Sequence, residues 1–171
     1  MVDFAHTPNA LRVALLAVRQ MLADSSTLQP SISTGGRIIA VFGSAGLRDR
    51  LKRRMMAETS IELADLSVFT AEDPRTESLA AILAEMAAGA QSRGGVEGKT
   101  FWRVPDRREA LRFAVSIARP GDVVIAYGKG HEQSMCFGET EYAWDDRVAL
   151  RAALAERLGV PGPGMPFLPE T

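Results

Sequence analysis

Gly128-Lys129-Gly130-His131-Glu132 follows a wholly apolar run, residues 123–127, and so reads as a polar loop at the end of a buried strand. Its two glycines let the backbone approach a ligand and take φ values that other residues avoid. Lys129, His131 and Glu132 add a cation, a titratable ring and a carboxylate. The chain has only 2 histidines, and the other, His6, also follows a short apolar stretch, so both imidazoles fall at expected strand ends rather than on helix faces. A second concentration of charge lies between Arg48 and Arg54, where Arg48, Arg50, Lys52, Arg53 and Arg54 accompany a single anion, Asp49. Such a block could attract anionic substrate groups, and a solvated helix face accounts for most of it. Arg48 and Arg75 suit bidentate pairing with carboxylates, while Asp73 and Glu132 suit an ammonium group. Opposite charges of this kind match an amino-acid zwitterion.

The elements that must carry these residues alternate along the chain. Apolar runs of strand length occupy residues 2–5, 38–42, 66–70, 101–104 and 123–127. Between them lie stretches of helical period. The first opens on Thr7 and Pro8 and repeats Leu11, Leu15, Val18 and Leu22, and a second is expected over residues 50–63. A third carries Leu79, Ile82, Leu83, Met86, Ala87 and Ala90 on one face, and a fourth opens with Asp106 three residues before Glu109 in the pattern of a capping box. The last follows Asp145-Asp146 and stops near Gly159, with Pro161 beyond. Strands apolar throughout suit a sheet covered on both faces, which predicts a three-layer α/β domain with a mostly parallel sheet. Residues 135–144 read as a hairpin, an expected antiparallel edge. Segments 23–36 and 89–100 read as exposed connections, residues 1–158 as one domain, and residues 159–171 as a loosely held tail.

In an open parallel sheet, ligands bind beyond the carboxyl ends of the strands. Four polar clusters fall at such ends: His6-Thr7-Pro8, the turn Gly43-Ser44-Ala45-Gly46-Leu47-Arg48-Asp49, Glu72-Asp73-Pro74-Arg75-Thr76-Glu77, and the loop at Gly128. Missing motifs limit their chemistry. No Gly-x-x-x-x-Gly-Lys-Ser/Thr occurs, and the turn at Gly43 fails the dinucleotide fingerprint, which disfavours both an ATPase cradle and hydride transfer.

Composition narrows the class further. With 171 residues, 46% of them hydrophobic, the chain suffices for one domain with a core. Twenty basic against 21 acidic side chains leave a net charge of −1, so nothing points to a nucleic-acid partner. The single Cys136 excludes an intrachain disulfide and a cysteine-based metal cluster, and it reads as a packing residue. No run reaches the ~20 apolar residues needed to span a bilayer, and the N-terminus lacks a cationic n-region, so a cytoplasmic location and no membrane partner are expected.

The segments VDFAHTP, FGSAGLRD followed by KRRMM, EDPRTE, and AYGKGHE with a later DDR resemble, in order and spacing, the C-terminal domain of Mur ligases. The similarity is strongest to their tripeptide synthetase (MurE-type) branch and runs from Val2 to about Leu158. It implies a six-stranded Rossmann-like domain that closes on ATP and brings an incoming amino acid to an acyl phosphate on UDP-MurNAc-L-Ala-D-Glu during peptidoglycan synthesis. By position, Asp3 and His6 would meet the nucleotide. Arg48 and Arg75 would hold the distal carboxylate of a diamino acid, with Asp73 adjoining, and Gly128 and Glu132 would receive its amino end. Lys129, Gly130 and His131 would shape the loop, and no catalytic or metal-binding residue is assigned here. ATP and Mg would sit mainly on a central ATPase domain, which, like the domain that holds the UDP-MurNAc-dipeptide, this chain lacks, so alone it should not form an amide bond. A stand-alone module that binds an amino acid or a cell-wall precursor is the alternative.

The chain departs from the family pattern in three places. Phe4 stands where tyrosine is common, the turn at Gly43 has fewer glycines, and Glu72-Asp73-Pro74-Arg75 replaces Asp-Asn-Pro-Arg. The extra carboxylate would repel a distal carboxylate, whereas Arg75 would attract one. Diaminopimelate, lysine and ornithine all remain open.

Overall fold

The computed structural model describes residues 1–28 and 35–169. A five-stranded sheet forms its centre, in the order β1-β5-β2-β3-β4, from β1 (Val2–Asp3), β2 (Ile38–Phe42), β3 (Leu66–Phe69), β4 (Phe101–Arg103) and β5 (Val123–Tyr127). Every pairing in this sheet is parallel. The alternation of strand side chains explains why the runs are apolar throughout. Along β2, Ile38, Ala40 and Phe42 enter one core while Ile39 and Val41 enter the other, so a polar residue at any of the five positions would be buried.

The first core lies under α1 (Pro8–Leu28), α2 (Arg50–Leu63) and α3 (Leu79–Ser92), and the second under α4 (Arg107–Ile117) and α5 (Asp146–Leu158). This is the expected three-layer α/β fold. Connections through α1, α2 and α3 advance across the sheet, and α4 returns from the edge strand β4 to β5 on the opposite face.

Helix boundaries follow local chemistry. The Thr7 hydroxyl accepts from the Ala10 N–H at 3.3 Å, Asp49, Ser78, Asp106 and Asp145 cap the four later helices, and Gly159 ends α5 at φ 65°. At α4 the capping box is not completed. Asp106 accepts from the Arg108 N–H, but the Glu109 carboxylate turns to Arg112 at 2.6 Å.

Four expectations are revised. The sheet has five strands rather than about six, and residues 135–144 do not extend its edge; β6 (Ser134–Phe137) and β7 (Thr140–Ala143) form their own two-stranded antiparallel sheet. Segment 23–36 is helical as far as Leu28, and residues 29–34 lie outside the described residues. Segment 89–100 begins inside α3, because Gly89 lets that helix cross α2 closely; a Cβ there would lie 2.6 Å from the Arg54 carbonyl oxygen. Within the tail, Leu168 is buried in the second core and the Phe167 ring sits under the Arg108 guanidinium, 5.9 Å away. Among the described residues no helix is long and apolar enough to cross a membrane.

Candidate functional site

Because all five strands run parallel, the four polar clusters share one rim, and a cleft of about 380 Å³ opens between them. Phe4, His6, Ala45, Arg48, Asp49, Lys52, Glu72, Asp73, Arg75, Gly128 and Glu132 line it. Of the residues singled out in the sequence, Arg48, Asp73, Arg75, Gly128, Glu132 and His6 therefore converge. Asp3 does not line the cleft; its carboxylate accepts from the Ala5 N–H at 2.7 Å and shapes the exit from β1.

The loops are fastened to one another before any ligand is considered. The Gly46 N–H donates to the Asp73 carbonyl at 2.9 Å, and a Cβ on Gly46 would lie 2.0 Å from the Pro74 carbonyl oxygen, so that glycine serves contact between loops. Glu77 completes the fastening. Its carboxylate accepts from the Leu47 N–H at 2.9 Å and takes both terminal nitrogens of the buried Arg53, at 2.7 and 2.6 Å. The Arg53 guanidinium, helped by the Leu47 N–H, holds the Glu77 carboxyl at a pKa of about 2. Leu47, Asp73 and Arg75, the three non-glycine residues with positive φ among those described, all belong to these two loops, at 57°, 41° and 53°. Left-handed backbone at such residues is unfavourable unless surrounding contacts impose it, and here they do.

Arg75 is held through its backbone. Its N–H donates to the Cys136 carbonyl at 3.2 Å and its carbonyl accepts from Gly138 at 2.8 Å, so the β6–β7 hairpin carries the arginine and leaves its guanidinium without a carboxylate partner among the described residues.

The basic block resolves into two sets. Arg53 pairs with Glu77 and Glu85 and Arg50 with Glu85, which fixes α2 against α3 and its approach loop, and Arg54 pairs with Glu58 within α2. Arg48 and Lys52, four residues apart, make no such pair among the described residues and face the cleft beside Arg75. Lys52 was missed as a site residue, although its i,i+4 spacing from Arg48 was visible.

The loop after β5 is shaped by burial. Lys129, 2% exposed, donates to both oxygens of Asp73 at 2.9 and 3.0 Å and pairs with Glu132 at 2.8 Å. Burial alone would lower the ammonium pKa, but the Glu132 and Asp73 carboxylates outweigh it and hold the group above its ordinary value. Asp73 also accepts from the Cys136 N–H at 2.9 Å. Its extra negative charge is thus compensated inside the protein, and the repulsion expected from replacing asparagine by aspartate is offset. Gly128 turns at φ 102°, where a Cβ would lie 2.3 Å from Glu72 Oε2. Gly130 packs on Phe4, whose ring lies between those of His6 and His131, at 4.6 and 4.9 Å. His131 itself is exposed and lies outside the cleft lining.

Glu72, named in the sequence only as part of a polar cluster, is a second site residue that was missed. Its side chain is buried against Gly128 and its Oε2 has no hydrogen-bond partner. Burial raises the carboxyl pKa, with Arg107 and Lys52 opposing. A buried acceptor with a free oxygen, at the wall of a cleft, is suited to receive a donor from a ligand.

Comparison with known proteins gives the family and the fold. Residues 1–130 match the family described as Mur ligase, glutamate ligase domain. A UDP-N-acetylmuramyl-tripeptide synthetase from Roseiflexus sp. is 46% identical across 91% of this chain, which covers 28% of that protein. A UDP-N-acetylmuramoyl-L-alanyl-D-glutamate--2,6-diaminopimelate ligase from Geobacillus thermodenitrificans is 40% identical across 91% of the chain and is covered to 29%. A solved structure of a ligase of that same name superposes with a TM-score of 0.72 at 34% identity, covering 92% of this chain and 29% of its own. A murein peptide ligase from Psychrobacter arcticus, 18% identical with a TM-score of 0.52, shares the fold over 75% of this chain and 24% of its own. The chain spans less than a third of the length of the curated relatives it matches. This chain belongs to the Mur ligase, glutamate ligase domain family.

Proposed function

We propose that this chain is the amino-acid-binding domain of an ATP-dependent peptidoglycan ligase, and that the amino acid is 2,6-diaminopimelate, added to UDP-MurNAc-L-Ala-D-Glu. The observation that carries this reading is the pairing of charges left over in the cleft. Arg48, Lys52 and Arg75 have no carboxylate partner among the described residues, while Glu72 retains a free buried oxygen and Glu132 stands partly exposed. Lysine and ornithine carry one carboxylate each, which three cations would over-serve. Diaminopimelate brings two carboxylates and two ammonium groups, and its distal carboxylate suits the Arg48 and Arg75 guanidinium groups.

The chain's part in the reaction is binding and orientation. Arg48 and Arg75 anchor the distal end, Glu72 and Glu132 accept from an ammonium group, and Gly128 lets the loop come close enough for that contact. The amine at the other end is thereby presented to an acyl phosphate, from which inorganic phosphate leaves as the amide bond forms. Mg and the nucleotide phosphates do not fit this chain's own residues. Among the described residues no three His, Cys, Asp or Glu side chains are grouped to hold a metal ion, and the glycine turn after β2 is filled by the neighbouring loop. ATP and Mg belong to a central domain outside this chain, with His6 facing the nucleotide.

The test is amide formation by the full-length ligase with UDP-MurNAc-dipeptide and diaminopimelate, lysine or ornithine. A preference of at least about 100-fold in kcat/KM for diaminopimelate is expected, equivalent to about 2.7 kcal/mol. Preference for lysine or ornithine would overturn the substrate assignment, and no amide product with any of the three would overturn the ligase reading.

A further inference from the structure

Arg107 and Asp146 form a buried ion pair on the face of the sheet opposite the basic block, and both side chains are 0% exposed. Arg107 Nε and Nη2 donate to the two carboxylate oxygens of Asp146 at 2.8 and 2.6 Å. Two further bonds leave the same guanidinium: Nη1 donates to the Ala71 carbonyl at 3.0 Å and Nη2 to the Tyr127 carbonyl at 2.9 Å. Ala71 immediately precedes Glu72, and Tyr127 immediately precedes Gly128. The side chain therefore grips the roots of both loops that carry the carboxylates of the cleft.

Sheet topology gives this grip a role. β3 and β5 are joined only through β2, and those ladders end at Thr70 and Ala126, so no bond to β2 holds Ala71 and Tyr127 just beyond them. A planar guanidinium has donors enough to hold Asp146 and still bridge the two strand ends, which an ammonium lacks the geometry to do. Asp146 Oδ1 also accepts from Trp144 Nε1 at 2.8 Å, and the Trp144 N–H donates to the Gln133 carbonyl at 3.1 Å. The network thus reaches the hairpin on which Arg75 is mounted.

We propose that Arg107, held by Asp146, is a positioning residue for the amino acid: it sets the spacing between the Glu72 and Gly128 walls of the cleft without touching the ligand. This inference rests on the amino-acid-binding reading above.

The test is steady-state kinetics and thermal melting of the full-length ligase carrying Arg107→Lys or Asp146→Asn. Arg107→Lys keeps the charge beside Asp146 but cannot reach both carbonyls. The expected result for a variant that still melts cooperatively is an amino-acid KM raised tenfold or more, with the KM values for ATP and the UDP-MurNAc-dipeptide within twofold of wild type. A smaller rise is expected for Asp146→Asn, which retains one acceptor for Trp144. Folded variants whose amino-acid KM is unchanged, or whose three KM values rise together, would overturn the proposal.

Hydrogen exchange of the wild-type protein covers the case in which neither variant folds. The Ala71 and Gly128 amides should exchange through one shared opening event, and independent openings would overturn the coupling. Absence of amino-acid-dependent turnover in the wild type would instead remove the functional reading, and the exchange measurement would still decide whether the two loops are joined.

Discussion

Replacing Lys129 by methionine removes the cation that the cleft's second wall depends on. The variant leaves Asp73, 17% exposed, and Glu132, 42% exposed, facing each other across a buried gap. Removing one partner of a fully buried pair costs about 3–5 kcal/mol. Asp73 keeps its bond from the Cys136 N–H and Glu132 is partly hydrated, so about 2–3 kcal/mol is expected here. For a domain of this size that corresponds to a fall in Tm of about 5–10 °C. The pair is fully formed at pH 7, because the raised ammonium pKa contributes stability below its unfolded value that is lost only as pH rises through the folded one. Asp73→Asn in the Lys129→Met background removes the stranded charge while keeping an acceptor for Cys136. The double variant should recover at least about 1 kcal/mol relative to the sum of the single changes. Thermal and urea denaturation followed by circular dichroism would measure all four corners of the cycle. A Lys129→Met protein melting within about 1 °C of wild type, or a double variant no better than additive, would refute the reasoning.

Three other outcomes are expected. Arg75→Ala should raise the amino-acid KM by about tenfold or more in the full-length ligase while leaving the melt unchanged, since alanine tolerates φ 53° as well as arginine does; a changed melt or an unchanged KM contradicts this. Binding of an ammonium beside Glu72 should lower its raised pKa, so affinity should increase with pH through the folded-state pKa; calorimetric affinities across a pH series would read this, and an affinity that does not rise with pH argues against Glu72 as the acceptor. Glu77, depressed to about 2, stabilises the loop at Leu47 above its unfolded pKa and should lose that contribution only as pH falls toward 2; a Leu47 amide resonance that titrates near the ordinary glutamate value would show the contact with Arg53 to be weak.

Much of the architecture was legible because its causes are local. Strands such as 38–42 are apolar on both faces only when two layers cover them, and Thr7, Asp106 and Gly159 mark helix ends by chemistry that needs no tertiary contact. What escaped depends on partners distant in the chain. Residues 135–144 have the pattern of a hairpin wherever they pack, so nothing local says that they pair with Arg75 rather than with the sheet edge. The five cations of the basic block look alike in sequence; Glu77, Glu85 and Glu58 take three of them and leave Arg48 and Lys52 to the cleft. Asp73 read as a free charge until Lys129, 56 residues away, supplied its counterion. Arg107 gave no signal, and Glu72 stood out only as one member of a polar cluster, since burial of a charged side chain is decided by its surroundings.

If the amino acid binds as proposed, three loops separated in sequence hold a single bipolar ligand in one cleft. Titration of the isotope-labelled protein with diaminopimelate, followed by backbone amide resonances, tests it most directly. Residues 43–48, 72–77 and 128–132 should shift together along one binding isotherm, while the amides of Gly121, Asp122 and Leu158 at the opposite end stay still. Shifts confined to one loop, separate isotherms for different loops, or shifts centred at the opposite end would contradict it.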